Sequence, residues 1–379
     1  MSKNLRGACA LRRTVRTVCA VGAAALFLTL SPLQAAAPAP AAPPLQVGFV
    51  YVSPVGEVGW SYQHDLGRRE MERALGPRVR TTAIESVAEG ADSERVIRDL
   101  AQRGHGLVFA TSFGYLEPTL RVASDHPGVR FEHAGGYKGA ANVKTYNARY
   151  YEARYLAGLL AGATSKTGVA GYVAGFPVPE VVQGINAFTL GMREANPRAT
   201  VRVLWLNTWF DPTREAEAAQ TLVNQGADIL TNHSASAAVA QTAQANFATR
   251  GVRFLGYQSD MRAHAPDAQL AAVTHHWGGY YTAQARAVIE GRWNAEPVWG
   301  GIREGFVELS AVDGRVPAPL RTRVATRRQG IVDGRFHPFS APLRDNQGKL
   351  RLERGTLDDA AIQRMNWLAE GVVGSVPGS

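Results

Sequence analysis

Leu45-Gln46-Val47-Gly48-Phe49-Val50-Tyr51-Val52 is a short apolar run, rich in β-branched residues, of the kind that forms a buried strand. Similar runs recur along the chain and alternate with amphipathic segments. This alternation predicts an α/β fold of mostly parallel sheets with helices on both faces. We predict strands at 46–52, 79–84, 106–111, 129–134, 142–147, 168–174, 200–206, 228–231, 252–257 and 270–275, and helices that include 93–102, 151–165, 179–195, 214–225, 235–249, 279–290 and 358–370.

The elements fall into two sets, one before about residue 165 and one after it, with no long linker between them. We therefore expect two lobes that each carry a doubly wound sheet, with a cleft between their strand ends. The predicted N-terminal lobe comprises 46–164 and 276–305, and the C-terminal lobe comprises 165–275 and 306–340. Residues 341–379 form a C-terminal extension that contains the final helix.

The N-terminus has the pattern of a cleaved secretory signal peptide over residues 1–37. Basic residues precede the apolar run 18–30, and the small residues Ala35-Ala36-Ala37 follow it. Both cysteines, Cys9 and Cys19, lie in this segment, so the mature chain offers no disulfide or thiol nucleophile. We expect a periplasmic protein.

The charge of the mature chain is mild. Five basic residues and no acidic one lie in residues 1–37, so a formal net charge of +9 for the whole chain leaves +4 after cleavage. The remaining basic residues are scattered, apart from 321–328, whereas a nucleic-acid binder concentrates them on one face. We expect a monomer that does not bind nucleic acid.

Aromatic side chains recur where the predicted strands end. They appear in Gly59-Trp60-Ser61-Tyr62-Gln63-His64, Phe113-Gly114-Tyr115, Thr208-Trp209-Phe210 and His275-His276-Trp277. In open α/β sheets, ligands bind outside the carboxyl ends of the strands. The pattern therefore predicts a pocket in which a flat ligand stacks on aromatic rings.

Several ordered segments resemble the basic membrane protein family of ABC-transporter solute-binding proteins, whose best-understood members are purine-nucleoside receptors. They include Gly48-Phe49-Val50, Glu152-Ala153-Arg154-Tyr155-Leu156-Ala157-Gly158, Gly171-Tyr172-Val173-Ala174-Gly175, Gly256-Tyr257-Gln258-Ser259-Asp260 and Met365-Asn366-Trp367. The resemblance implies a two-lobed periplasmic binding protein of type I that delivers its ligand to an ABC permease in the inner membrane.

The chain departs from the nucleoside receptors at the positions that the resemblance assigns to the ribose hydroxyls. Ser53 stands where these receptors carry an Asp, Gln258 replaces an acidic residue, and His275-His276-Trp277-Gly278 occupies the place of a Lys. These losses argue for a ligand without ribose. A purine-type nucleobase similar to adenine, or another flat heterocycle, fits.

The candidate ligand-binding residues combine stacking faces with hydrogen-bonding groups. Tyr62 and Trp209 are the expected stacking walls, with Trp60 in reserve, because stacking on an aromatic side chain contributes about 1 to 3 kcal/mol per base. Core packing and helix capping are the alternative roles for these residues. The full set is Ser53, Trp60, Tyr62, Gln63, His64, Phe113, Trp209, Asn232, His233, Gln258, Asp260 and Trp277.

Other functions have weaker support in the sequence. His64, His233, His275 and His276 suggest zinc, but adjacent residues of a strand point to opposite faces, so we expect no metal and no cofactor. No nucleophile elbow or phosphate-binding loop is present, which favours binding over catalysis. A nucleoside hydrolase on the same scaffold and a ligand sensor for a membrane receptor stay as alternatives.

Overall fold

The computed structural model describes residues 43–378, so the predicted signal peptide lies outside the described residues. The strands are β1 Leu45–Val50, β2 Val79–Ile84, β3 Leu107–Ala110, β4 Arg130–Ala134, β5 Val143–Ala148, β6 Val169–Ala174, β7 Thr200–Trp205, β8 Ile229–His233, β9 Arg253–Gln258, β10 Gln269–His275, β11 Val298–Gly300, β12 Val307–Ser310, β13 Leu343–Arg344, β14 Leu350–Leu352 and β15 Val372–Val373. The helices are α1 Trp60–Leu75, α2 Ala91–Gln102, α3 Leu116–Asp125, α4 Tyr150–Thr164, α5 Pro179–Ala195, α6 Pro212–Asn224, α7 Ala238–Arg250, α8 Gly278–Ile289, α9 Ala318–Val332 and α10 Asp359–Gln363.

The strands form two large sheets that share one strand order. The first sheet runs β11-β5-β4-β3-β1-β2 and the second runs β12-β10-β9-β8-β6-β7-β15. All pairings in the first sheet are parallel, and in the second only β12 runs antiparallel to its neighbour. The predicted α/β fold with mostly parallel sheets is therefore confirmed.

Each sheet reverses its strand order at one point, between β1 and β3 in the first sheet and between β6 and β8 in the second. The loops that leave the carboxyl ends of neighbouring strands diverge there and leave a crevice, which is where open α/β sheets bind ligands. The loops after β1, β3 and β8 flank these points and carry Val52, Phe113 and Ser234, and Trp209 follows β7, the neighbour of β6. Three strand-end segments thus flank the two crevices, and a fourth follows the adjacent strand.

The helices cover the sheets with their apolar faces. In α2, for example, Val96, Ile97 and Leu100 are buried, whereas the acidic first-turn residue Asp92 is exposed. A spacing of three to four residues places such side chains on one side of a helix. Among the described residues, no helix is both long and apolar enough to cross a membrane.

The C-terminal extension differs from its prediction. The final helix ends at Gln363 instead of continuing to residue 370. Asn186 of α5 replaces part of the helical hydrogen bonding: its Nδ2 donates to the Trp367 carbonyl at 2.7 Å, and its Oδ1 accepts from the Ala369 N–H at 2.7 Å. These bonds hold an irregular segment that then pairs with the edge of the second sheet as β15.

Candidate functional site

An inner cavity lies between the strand ends of the two sheets, and about 500 Å³ of empty space, part of it open to solvent, lies within and around it. The first sheet's side contributes residues from α1 and from the segments after β1, β3 and β4, and the second sheet's side contributes the rest. The lining consists of Val52, Trp60, Ser112, Phe113, Ala134, Gly135, Val178, Glu180, Trp209, His233, Ser234, Ala235 and Gln258.

Three aromatic rings form walls of the inner cavity. Trp60 is fixed by a hydrogen bond from its Nε1 to the Thr111 carbonyl at 2.6 Å. Trp209 comes from the second sheet, and its Nε1 donates to Glu89 Oε1 at 3.1 Å. Phe113 is half-buried beside them in the lining. Because the rings come from both sheets, a flat ligand between them would contact both halves of the molecule.

Gln258, the last residue of β9, presents an unpaired amide to the inner cavity. It is 3% exposed, and its Oε1 has no hydrogen-bond partner among the described residues. Its φ of 70° lies in the left-handed region, which is uncommon for a residue other than glycine. A buried polar atom without a partner is costly, so this arrangement favours a ligand that completes the bond.

His233 and Glu180 add polar groups to the inner cavity. His233 Nε2 lies 3.5 Å from Glu180 Oε1, and Asn147 Nδ2 donates to Glu180 Oε2 at 3.0 Å. Burial lowers the pKa of His233, although the neighbouring Glu180 opposes that shift. The imidazole is therefore neutral near pH 7. Glu180 was not among the predicted site residues, although it lies in the lining.

A buried arginine supports the second sheet's side of the cavity. Arg154 is fully buried, and its Nη1 donates to Thr231 Oγ1 at 2.9 Å. Its guanidinium carbon lies 3.6 Å from the centroid of the Tyr257 ring, which is a cation–π geometry. Tyr257 in turn packs against His233, with 4.4 Å between ring centroids. This stack fixes His233 and the end of β8.

Direct hydrogen bonds join the two sides of the inner cavity. Glu89 accepts from the second side's Trp209, and the same oxygen accepts from Ser112 Oγ at 2.6 Å and the Gly114 N–H at 3.0 Å. Ser259 Oγ, beyond β9, accepts from the Gly59 N–H at 2.9 Å and from Gln63 Nε2 at 2.9 Å. The structure is therefore a closed arrangement of the two halves.

The structure brings five of the predicted site residues to the inner cavity and places four others elsewhere. The five are Trp60, Phe113, Trp209, His233 and Gln258. The four, Tyr62, Gln63, Asp260 and Trp277, line a separate outer groove together with Glu57, Leu66, Gly67, Glu70, Ser259, Thr274, His275, His276, Glu308 and Ser310. The two linings share no residue.

Tyr62 does not lie where the predicted stacking wall requires it. None of the helices named from the sequence includes Ser61-Tyr62-Gln63, but the segment belongs to the first turn of α1. Residues two apart in a helix do not share a face, so Trp60 faces the inner cavity and Tyr62 faces the outer groove. Trp60, the reserve residue for a stacking wall, lines the inner cavity, and Tyr62 does not.

Ser53, His64 and Asn232 make local contacts outside the lining, although His64 Nε2 and Asn232 Oδ1 have no hydrogen-bond partner among the described residues. Ser53 Oγ lies 2.7 Å from Ser61 Oγ. His64 is fully buried, stacked on Trp277 with 5.1 Å between ring centroids and hydrogen-bonded to Tyr281. Asn232 donates from Nδ2 to the Ser234 carbonyl at 2.9 Å. None of the three belongs to the lining of the inner cavity.

The histidines that suggested zinc do not converge. His276 Nε2 is 3.0 Å from Glu308 Oε1 on the exposed side, whereas His275 is buried against Tyr150, with 4.4 Å between ring centroids. Within residues 43–378, no group of three or more His, Cys, Asp or Glu residues has the geometry of a metal site.

Two named proteins are similar to this chain over most of its length. A purine-binding protein of Brucella abortus is 46% identical over 334 residues, which cover 88% of this chain and 94% of the relative. A putative ABC transporter glucose-binding protein of Haloferax volcanii is 34% identical over 333 residues, which cover 88% of this chain and 81% of that relative. The ligand named thus differs between these two relatives.

Solved structures share the fold at low identity. A solute-binding protein of an ABC transporter from Aeropyrum pernix matches with a TM-score of 0.68 at 19% identity, covering 79% of this chain and 94% of that one. A solute-binding protein from Conexibacter woesei matches with a TM-score of 0.63 at 22% identity, covering 77% of this chain and 98% of that one. The family model for PnrA-like ABC transporter substrate-binding proteins matches residues 45–331. The chain belongs to this family of ABC transporter substrate-binding proteins, as its sequence motifs predicted.

Proposed function

We propose that this substrate-binding protein holds a purine-type nucleobase, similar to adenine, in the inner cavity and delivers it to an ABC permease. The observation that carries the proposal is a cavity with aromatic walls from both sheets and an unpaired, buried amide at Gln258. The 46% identity to a protein named for purine binding supports the same ligand class.

The chemistry of the lining suits a flat heterocycle with a polar rim. Purine faces stack on Trp60, Phe113 or Trp209, and each such stack contributes about 1 to 3 kcal/mol. Gln258 can offer both a donor and an acceptor to the ring edge. Ligand contacts to both halves favour closure, which is how a binding protein signals its loaded state to a transporter.

A wider groove that is open to solvent adjoins the inner cavity and shares Phe113, Gly135 and Glu180 with it. Its space could receive a substituent on the base, so nucleosides belong in the test. We retain the free base because Ser53, Gln258 and the segment at 275–278 replace the residues assigned to ribose in nucleoside receptors.

Mass spectrometry of ligand released from the purified, denatured protein identifies the cargo. We expect a free purine. A ligand present at a hundredfold excess over its dissociation constant stabilises the native state by about 2.7 kcal/mol, so adenine should raise the melting temperature. Stronger stabilisation by adenosine or inosine than by any free base would contradict the proposed absence of ribose.

Transport and the alternative functions separate by simple measurements. We propose that a signal peptide at residues 1–37 directs export to the periplasm and that the protein is a monomer. Cell fractionation tests the first point and light scattering tests the second.

The alternative functions have tests of their own. Incubation with nucleosides should release no base; sustained release would establish the hydrolase. A gene pair for a permease and an ATPase beside this gene supports transport, whereas a neighbouring kinase gene supports a sensor.

We also propose that the lobes divide near residues 165, 276 and 306. Strand β11 belongs to the first sheet and β12 to the second, so the chain passes between the sheets between residues 300 and 307. Strand β15 lies in the second sheet, which supports placing part of the C-terminal extension with the C-terminal lobe.

A further inference from the structure

Glu180 lies where the inner cavity meets the adjoining wider groove, and it was not among the predicted site residues. It lies in the first turn of α5 and lines both the inner cavity and the adjoining wider groove. Its side chain is 15% exposed. Oε2 accepts a hydrogen bond from Asn147 of the first sheet, and Oε1 faces His233 of the second sheet at 3.5 Å.

The inner cavity has an acceptor bias because of this residue. Among the thirteen lining residues, Glu180 is the only Asp, Glu, Lys or Arg. His233 is neutral near pH 7, since burial lowers its pKa. Arg154 lies behind Tyr257 and is not in the lining. A ligand that enters therefore meets one carboxylate, which in its ionised form can only accept hydrogen bonds.

The local structure suits a carboxylate side chain at position 180. The N-terminus of a helix favours a negative charge in its first turn, and the amide of Asn147 satisfies one of the two carboxylate oxygens. Oε1 is left with only the long contact to His233. An N–H group of a ligand would provide a shorter and better-aligned partner for this oxygen.

We propose that Glu180 is a specificity-determining residue that accepts a hydrogen bond from the exocyclic amino group of an aminopurine and rejects oxopurines. This inference rests on the proposed purine-binding function. A carbonyl oxygen in the place of the amino group faces the carboxylate with lone pairs on both sides. Both groups then lose water without gaining a partner, and that loss discriminates between ligands of the same shape.

Adenine and hypoxanthine share one ring skeleton and form the first pair for the test: adenine carries an amino group at C6 and a bare N1 acceptor, whereas hypoxanthine carries a carbonyl at C6 and a hydrogen on N1. Titration calorimetry compares both bases with wild type, Glu180→Gln and the control Glu117→Gln. Glu117 lies in the first turn of α3, is exposed and is absent from the inner cavity's lining, so it matches the helix position without the site.

Wild type should bind adenine more tightly than hypoxanthine by about tenfold to a hundredfold, the range expected for a buried polar group that loses its partner. In Glu180→Gln this ratio should shrink at least tenfold, since the new amide can donate to the carbonyl of hypoxanthine. The control should keep the wild-type ratio. An unchanged ratio in Glu180→Gln, with both bases weakened alike, would overturn the inference and assign Glu180 to positioning α5 and Asn147.

A comparison of ligands on the wild-type protein tests the inference even if Glu180→Gln does not fold. Unsubstituted purine lacks the amino group, so it should bind wild type at least tenfold more weakly than adenine. Equal affinities for purine and adenine would overturn the inference while leaving purine binding intact. Failure of wild type to bind any of the three bases would instead overturn the proposed function and this inference with it.

Discussion

Two aromatic side chains that lie only two positions apart in the chain line different sites, one the inner cavity and the other the outer groove. Trp60 belongs to the inner cavity and Tyr62 to the outer groove, although both lie in the first turn of α1. Alternate residues share a side in an extended segment, whereas in a helix each residue turns the direction by about 100°. Because this segment is a helix and not an extended loop, Trp60 and Tyr62 point to different sites.

The two sites also differ in the polar groups that they present. In the inner cavity, Gln258 has an unpaired Oε1 and a strained backbone. In the outer groove, Asp260 accepts from Gln269 Nε2 at 2.6 Å and from the Arg262 N–H at 3.0 Å. Among the described residues, unpartnered buried atoms do not separate the sites, because both linings contain them: Gln258 Oε1 and His233 Nδ1 in the inner cavity, and His275 Nδ1, His275 Nε2 and Trp277 Nε1 in the outer groove. The inner cavity is favoured because aromatic side chains from both sheets line it.

The largest expected effect comes from Gly59→Ala, at the boundary between the two sites. Gly59 has φ 93° and ψ −167°, a conformation that is almost confined to glycine. A Cβ atom there would lie 2.1 Å from the carbonyl oxygen of Ala235, which lines the inner cavity from the other side. We expect a loss of base affinity of about 3 kcal/mol, because the halves cannot approach this closely.

Gly56→Ala is the matched control in the same loop. Gly56 has φ 54°, but an added Cβ atom would have no neighbour within 4 Å. It should carry a backbone cost for its positive φ without blocking closure, so that titration calorimetry shows a much smaller loss. Equal losses in the two variants would show that backbone strain alone matters and that Ala235 does not control closure.

The next effect is the removal of a stacking wall. Trp60→Ala and Trp209→Ala should each weaken adenine binding by about 1 to 3 kcal/mol, the contribution of one aromatic stack to a bound base. Glu89 keeps its bonds from Ser112 and Gly114 after Trp209 is removed, so its carboxylate is not left unpaired. Titration calorimetry measures the losses. A large fall of the apo melting temperature, with unchanged affinity, would identify the rings as core packing instead.

The sequence predicted the fold well because the strand runs carry a strong periodic pattern. It also placed Phe113, Trp209, His233 and Gln258 at strand ends, and these residues do line the inner cavity. The start of α1 could not be read in the same way. Gly59 precedes the helix and offers no side-chain cap, so no Ser, Thr, Asp or Asn stands at the N-cap position.

Glu180 was missed although a signal was present. It follows the end of β6 by a few residues, which is the strand-end position that identified the other residues. The small and apolar lining residues, such as Val52 and Ala134, carried no such signal because their types are common everywhere. The early end of the last helix depended on Asn186, which is distant in sequence and gave no local indication.

A smaller effect is expected for Gln258→Asp. Asp tolerates the left-handed backbone of this position, so the fold should be retained. The variant places a second carboxylate near Glu180 in the inner cavity, where an unpaired charge is poorly solvated. Adenine affinity should fall by about 1 to 2 kcal/mol. Paired titration with adenosine checks the position, because ribose hydroxyls could donate to the new carboxylate and change the ratio of the two affinities.

The smallest effects are expected in the outer groove. Tyr62→Ala and Asp260→Asn should each change adenine affinity by less than about 0.5 kcal/mol, the usual range for substitutions away from a site. Both residues line only the outer groove, and Asp260 is exposed. Because Tyr62 and Trp60 lie in the same helical turn, Tyr62→Ala also controls for any disturbance of α1 in Trp60→Ala. A loss of affinity in Tyr62→Ala as large as that in Trp60→Ala, with the apo melting temperature unchanged, would mean that the ligand lies in the outer groove and that the sequence-based position of the stacking wall was right.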